Sequence, residues 1–190
     1  PLRVTLGLRY DAVESWGAQQ EDQPTDHQHD SAVSGNLGIV YRPIEPLALI
    51  LNGGRAFRGA SIREKYFYGS TCFGFFCGSP DLEPETSWNV ELGTRLRIGQ
   101  FEFEGFFHNS FVNDLITAPP APEGSECDFV YENTDNAWLV GVDGQVMARR
   151  IRLGHDAVNL RPFLRFSWVR AENTDTGEPI PQIPPARLQA

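Results

Sequence analysis

Residues 86 to 104 read Thr86-Ser87-Trp88-Asn89-Val90-Glu91-Leu92-Gly93-Thr94-Arg95-Leu96-Arg97-Ile98-Gly99-Gln100-Phe101-Glu102-Phe103-Glu104, and this stretch decides the fold. Trp88, Val90, Leu92, Thr94, Leu96 and Ile98 share one parity, while Asn89, Glu91, Arg95 and Arg97 share the other. Side chains alternate across a strand, so this period of two gives one apolar face and one polar face. Gly99-Gln100 is a two-residue hairpin connection. Phe101 and Phe103 then alternate with Glu102 and Glu104 in a strand that reaches about Ile116. Both strands are much longer than the roughly five or six residues usual in soluble sandwiches.

The same alternation extends in both directions. Val4, Leu6, Leu8, Tyr10 and Ala12 alternate with Arg3, Thr5, Arg9 and Asp11, and Val33, Gly35, Leu37, Ile39 and Tyr41 form a second strand after a polar stretch over residues 17–31. Pro43-Ile44-Glu45-Pro46 makes a tight turn, because proline fixes φ and lacks a donor, and Leu47, Leu49 and Leu51 open a third strand running to about Phe57. Residues 131–147 and 160–171 read as further strands, which makes seven and the beginning of an eighth. The connections at 17–31, 59–85, 117–130 and 173–185 are long, and those at 43–46, 99–100 and 149–159 are shorter. No segment favours a helix of more than a turn. Tyr10, Trp16, Tyr41, Trp88, Trp138 and Trp168 lie near strand ends, where membrane barrels carry interfacial aromatics.

The chain has 190 residues and a formal net charge of −9, which argues against a nucleic-acid partner. A hydrophobic fraction of 41% excludes disorder. The longest apolar run, Leu47-Ala48-Leu49-Ile50-Leu51, is far short of the roughly 18 residues of a spanning helix. A membrane barrel remains open, because its strands alternate lipid-facing and lumen-facing residues and average to a moderate hydropathy. Long loops at one end, short turns at the other and long two-faced strands define the expected class: all-β, an antiparallel transmembrane β-barrel segment of about seven to eight strands, with long extracellular loops and short periplasmic turns. No nucleophile elbow, phosphate loop or HExxH motif is present, so an enzyme is not expected. The rival classes are a passive barrel or porin and a soluble all-β binding domain.

Two motifs narrow the class. Gly54-Arg55-Ala56-Phe57-Arg58-Gly59-Ala60-Ser61-Ile62-Arg63-Glu64-Lys65-Tyr66 resembles the Gly-Phe-Arg-Ala-Pro strand-and-loop signature of TonB-dependent outer-membrane receptors. Gly78-Ser79-Pro80-Asp81-Leu82-Glu83-Pro84-Glu85-Thr86-Ser87 resembles that family's Asn-Pro-Asp-Leu-Lys-Pro-Glu-Thr signature, and Asn89, Glu91, Leu92 and Gly93 follow in its spacing. Gly59-Ala60 and Ser79 depart from the usual pattern. The resemblance implies a barrel fragment over residues 1–190, from a larger plugged barrel of the 22-stranded kind, with no plug domain in this chain. It implies a Gram-negative outer-membrane active-transport receptor for a ferric, siderophore-like chelate or for heme. The partners implied are its own plug domain, the TonB complex and outer-membrane lipid. No cofactor and no resident metal are expected.

Several residues are candidates for the site. Arg58 and Arg63 present guanidinium forks suited to an anionic chelate. Beside them Tyr66, Tyr68, Phe73, Phe75 and Phe76 crowd a loop that should face water, either as a ligand surface or as the small core of loops packed over the barrel mouth. His27 and His29 share one face of an extended segment and could contact a metal or heme. Residues 62–78 contain no histidine, although heme receptors of the family are expected to carry one between the two signatures, which lowers heme beneath a siderophore-like chelate. Cys72, Cys77 and Cys127 fall in two loops on the oxidising side under the barrel reading. Cys72-Cys77 is the expected disulfide, with Cys127 left over or pairing with one of the two.

Overall fold

A computed structural model describes residues 1–19, 24–134, 136–149, 151–153, 158–180 and 183–190. In chain order the elements are β1 (Leu2–Gly17), β2 (Asp26–Ile44), β3 (Leu47–Arg58), α1 (Ile62–Tyr66), β4 (Tyr68–Thr71), β5 (Gly74–Cys77), β6 (Glu85–Ile98) and β7 (Phe101–Asn113). There follow β8 (Ile116–Thr117), β9 (Phe129–Val130), β10 (Glu132–Asn133), β11 (Ala137–Ala148), β12 (Ile151–Leu153), β13 (Val158–Leu160), β14 (Phe163–Asn173) and β15 (Arg187–Gln189). Eight of these form one antiparallel sheet in the order β1-β2-β3-β6-β7-β11-β14-β15, an unclosed wall with β1 and β15 at its edges. The expected seven strands and the start of an eighth are these eight.

Cross-strand partners share a face, so the register sorts the side chains. Leu6↔Leu37, Tyr10↔Val33, Leu51↔Leu92, Trp88↔Phe111 and Val142↔Trp168 lie on one side. Leu6 and Leu8 are 80% and 81% exposed there. Each such side chain gains about 1.5–3 kcal/mol on leaving water, so this face is unfit for solvent and suited to hydrocarbon. All six expected girdle aromatics fall on it. Trp168 does so in the middle of β14, not at its end. Arg55 and Arg170 interrupt the apolar surface. Arg55 donates to the Val33 carbonyl at 2.6 Å, and Arg170 pairs with Glu172 at 2.8 Å.

The opposite face is polar and cross-linked. Arg95 bridges Glu104 and Glu102, Arg165 Nε donates to Gln145 Oε1 at 2.7 Å, and Gln145 Nε2 donates to Glu104 Oε2 at 3.3 Å. His108 Nδ1 lies 3.4 Å from Asp143 Oδ2.

Two boundaries differ from the sequence expectation. The stretch 17–31 is not all loop, because β1 and β2 stay paired up to Gly17↔Asp26. One face of this upper ribbon is open and the other, with Ser15, Gly17 and Asp30, is covered through polar groups and not by an apolar core, so it carries no apolar alternation to read. The strand expected over 131–147 starts at Ala137, and its first residues pair instead in a loop ladder, Asn133↔Ile116. Of the turn expected at 149–159, residues 150 and 154–157 lie outside the described residues.

Candidate functional site

Above the long-loop end of the sheet, segments 59–84 and 114–134 fold into a separate layer. Its first element is α1, started by a capping box. Ser61 Oγ accepts from the Glu64 amide at 3.2 Å, and Glu64 Oε2 accepts from the Ser61 amide at 2.7 Å. These reciprocal bonds satisfy donors that a helix start leaves open. Lys65 is fully buried, and its Nζ donates to Asp30 Oδ2 at 2.9 Å on the polar face of β2. Tyr66 lies over Gly17, where a Cβ would stand 2.7 Å from the ring. On the other side of α1, the Gly78 amide donates to the Phe67 carbonyl at 2.6 Å and the Ser79 amide donates to the Glu64 carbonyl at 2.9 Å. The layer therefore leans back over the polar side of β1 and β2.

Arg58, at the top of β3, is saturated by two carboxylates. Its Nε and Nη2 donate to the two oxygens of Glu85 at 2.6 and 2.7 Å, and Nη1 donates to Glu64 at 2.9 and 3.1 Å. Burial disfavours the Glu64 carboxylate, but the bonds from Arg58 and Ser61 outweigh it and hold its pKa below the usual glutamate value.

The second element is a three-stranded sheet, β4-β5-β9, in which β5 pairs with β9 in parallel as Phe76↔Phe129 and Cys77↔Val130. Tyr68 and Phe75 meet edge to face with centroids 4.9 Å apart, and the Tyr68 hydroxyl donates to Glu126 at 3.0 Å. Phe76 stacks on Phe129 at 4.7 Å and contacts Tyr131 at 6.0 Å. Asp128 Oδ2 accepts from the Phe75 amide at 2.8 Å beside Gly74, whose φ of 132° favours glycine. Beneath lies a small core of Ala60, Leu82 and Ile116, with Tyr131 against it.

The disulfide joins Cys77 to Cys127, with Cα atoms 6.0 Å apart, and Cys72 is a free, exposed thiol. This corrects the expected Cys72-Cys77 bond. Cys72 sits in the turn joining β4 to β5, while Cys77 ends β5 opposite Tyr68, roughly 10 Å or more along the hairpin. That is beyond disulfide reach. The second loop instead folds against β5, where the Asp128 and Tyr131 amides donate to the Phe75 and Cys77 carbonyls, and Cys127 reaches Cys77 from there.

The candidate residues thus separate. Tyr66 is buried, Tyr68, Phe75 and Phe76 are half-buried among loop partners, and Arg58 is ion-paired. Phe73, 81% exposed, stands at the hairpin tip, and the exposed Arg63 lies 5.1 Å over the Phe67 ring. His27 and His29 are exposed on β2, opposite Trp16 and Glu14, and so point off the apolar side of the wall, away from the layer. Among the described residues no three His, Cys, Asp or Glu side chains are grouped to hold a metal ion. Lys65, Asp30, Glu126 and Asp128 were missed in the sequence; the Ser61-x-x-Glu64 capping box was the one local signal for α1.

The family model for TonB dependent receptor-like, beta-barrel matches residues 1–190. The chain belongs to the TonB-dependent receptors. Members of this family are outer-membrane receptors and transporters of Gram-negative bacteria, not enzymes. The TonB-dependent receptor chain is 31% identical over 144 residues to transferrin-binding protein A of Haemophilus influenzae, covering 73% of this chain and 15% of that protein. It is 23% identical over 209 residues to heme/hemopexin utilization protein C of the same species, covering 98% of this chain and 28% of that protein. It therefore spans under a third of either relative. Among solved structures, the copper transporter OprC superposes with a TM-score of 0.77 at 18% identity, covering 98% of this chain and 29% of that one, a likeness of fold.

Proposed function

We propose that the protein is an outer-membrane active-transport receptor that imports a ferric, siderophore-like chelate with energy delivered through TonB. The stapled loop layer forms part of its extracellular capture surface, with Phe73 and Arg63 as contact points. The observation that carries this reading is the layer's construction. It is tied to the rim at β2, β3 and β6, cross-linked by Cys77–Cys127, and leaves the Phe73 ring exposed at its surface together with the exposed Arg63, held over Phe67. A bulky anionic chelate is recognised by a stacking face and a fixed donor fork, and the exposed Phe73 and Arg63 offer one of each. Tyr66, Tyr68, Phe75 and Phe76 act as the scaffold that holds the pair. The related receptors carry names that span transferrin and heme/hemopexin, so the cargo is argued from these side chains.

The test is uptake of radio-iron chelates by cells carrying the full-length receptor, with and without TonB. Uptake that needs TonB and falls about thirtyfold or more in a Phe73→Ala/Arg63→Ala receptor is expected, the size of one lost charged contact plus one stacking contact. Iron entry that persists without TonB would identify a passive barrel, and unchanged affinity in the double variant would remove the layer from capture.

A further inference from the structure

Arg55 points out of the apolar side of the wall, the side of Leu37, Trp88 and Val90. Its strand fixes its height. Arg55 lies eight residues beyond Leu47 at the turn end of β3, roughly 20 Å of height for a strand tilted by about 40°, and the rim pair Arg58↔Glu85 is three residues higher. The guanidinium therefore stands at the upper border of an apolar band about 25 Å tall, where hydrocarbon gives way to headgroups. The β2–β3 ladder ends at Gly35↔Arg55, and just beyond it Arg55 Nη1 donates to the Val33 carbonyl at 2.6 Å. That contact uses one arm of the fork and leaves the other donors open. Among the described residues no carboxylate pairs with Arg55, whereas Arg170, the other arginine on this face, is matched by Glu172.

The face is notched around this cation. Gly35, directly across from Arg55, leaves one of its flanks bare, and Trp88 stands exposed on the other. Gly53 lies one rung beneath, between the exposed side chains of Leu37 and Val90. A Cβ on Gly53 would have no neighbour nearer than 3.9 Å, so an open apolar slot descends from the guanidinium toward Leu51. A cation above, a slot below and an aromatic ring beside them match an amphiphile that holds its anionic head up and its chain down. The planar donor fork suits phosphate oxygens in particular. We infer that Arg55 seats the phosphate of an outer-leaflet lipid, with one acyl chain in the Gly53 slot and the Trp88 ring beside the headgroup. The inference concerns the outside of the wall and stands whichever cargo the loop layer captures.

Purified full-length receptor in detergent tests it, titrated with bisphosphorylated lipid A and followed by native mass spectrometry. Lipid A binding should weaken about tenfold or more in Arg55→Gln, the size of one charged contact, and be largely kept in Arg55→Lys. Dephosphorylated lipid A should bind wild type as weakly as lipid A binds Arg55→Gln. Gly53→Leu fills the slot and leaves the guanidinium in place, so it should weaken lipid A while the unfolding temperature stays at the wild-type value. Millimolar inorganic phosphate should leave the lipid bound, and displacement would assign the fork to a free anion and overturn the lipid seat. Unchanged lipid A affinity in either Arg55→Gln or Gly53→Leu also overturns it.

Discussion

Lys65 Nζ donates to Asp30 Oδ2 at 2.9 Å with no accessible surface left on the lysine side chain, and this bond joins α1 to β2, the neighbour of the strand that leads into it. A buried pair of this kind adds little net stability over an apolar contact, but removing one partner strands the other charge. Lys65→Met should therefore loosen the layer by about 3 kcal/mol, and Lys65→Met with Asp30→Asn should recover much of the loss. Hydrogen exchange at residues 62–67 is the measurement. Equal protection in wild type and Lys65→Met would mean that the pair does not hold the helix.

The Cys77–Cys127 bond closes a loop with a sequence separation of 50. By chain entropy such a closure is worth about 4 kcal/mol. Non-reducing mass spectrometry should find one free thiol, on Cys72. Cys77→Ser should make segment 114–134 sensitive to protease while the barrel stays intact, and Cys72→Ser should leave both unchanged.

Gly78 is hemmed in by backbone, not by side chains that could swing away. A Cβ there would stand 2.6 Å from the Lys65 carbonyl oxygen and 2.8 Å from the Tyr66 nitrogen. Gly78→Ala should cost about 1–3 kcal/mol of local stability, the range for forced overpacking. The control is Gly105→Ala, whose nearest contact is 3.8 Å away. Comparable exchange rates in the two variants would refute the close approach.

The Glu64 carboxyl is held below its ordinary pKa, so its contribution is present above the usual glutamate range and is lost as pH falls through the lowered folded value. Acidification should loosen α1 before it affects the barrel. Glu64→Gln should abolish this acid limb, because the amide no longer titrates. An acid limb that survives the substitution would show that Glu64 does not set the acid response of α1.

Some of this architecture was plain in the sequence and some was not, and the division follows what each signal depends on. The Trp88–Ile98 alternation reports a face in contact with hydrocarbon, so the sheet and its two faces were legible. Residues 26–31 are also strand, but the side of that ribbon that is covered is covered through Asp30 and other polar groups, which leaves no apolar period to read. His27 and His29 do share a face; which face was fixed only by their register with Trp16 and Glu14. The cysteine pairing depends on β5 meeting β9 across two loops, a contact between distant segments that local spacing does not encode, and nearness in sequence favoured Cys72 instead. The aromatic crowd was visible as composition. That most of it is scaffold, with Phe73 alone left prominent, follows from partners such as Glu126, Asp128 and Phe129 in the other loop.

The β1–β2 ribbon has a mechanical consequence. Its last strongly apolar rung is Tyr10↔Val33, and Asp30, the anchor for Lys65, pairs with Val13 three rungs higher, or about 10 Å along the strands. The helix is consequently fastened past the band of aliphatic rungs, level with the stretch between Tyr10 and Trp16, by a contact made of protein alone. Changes in bilayer thickness, or exchange of lipid for a detergent micelle, would act on the rungs below that fastening and leave its geometry untouched, so the loop layer should keep one shape in every amphiphile that keeps the wall folded.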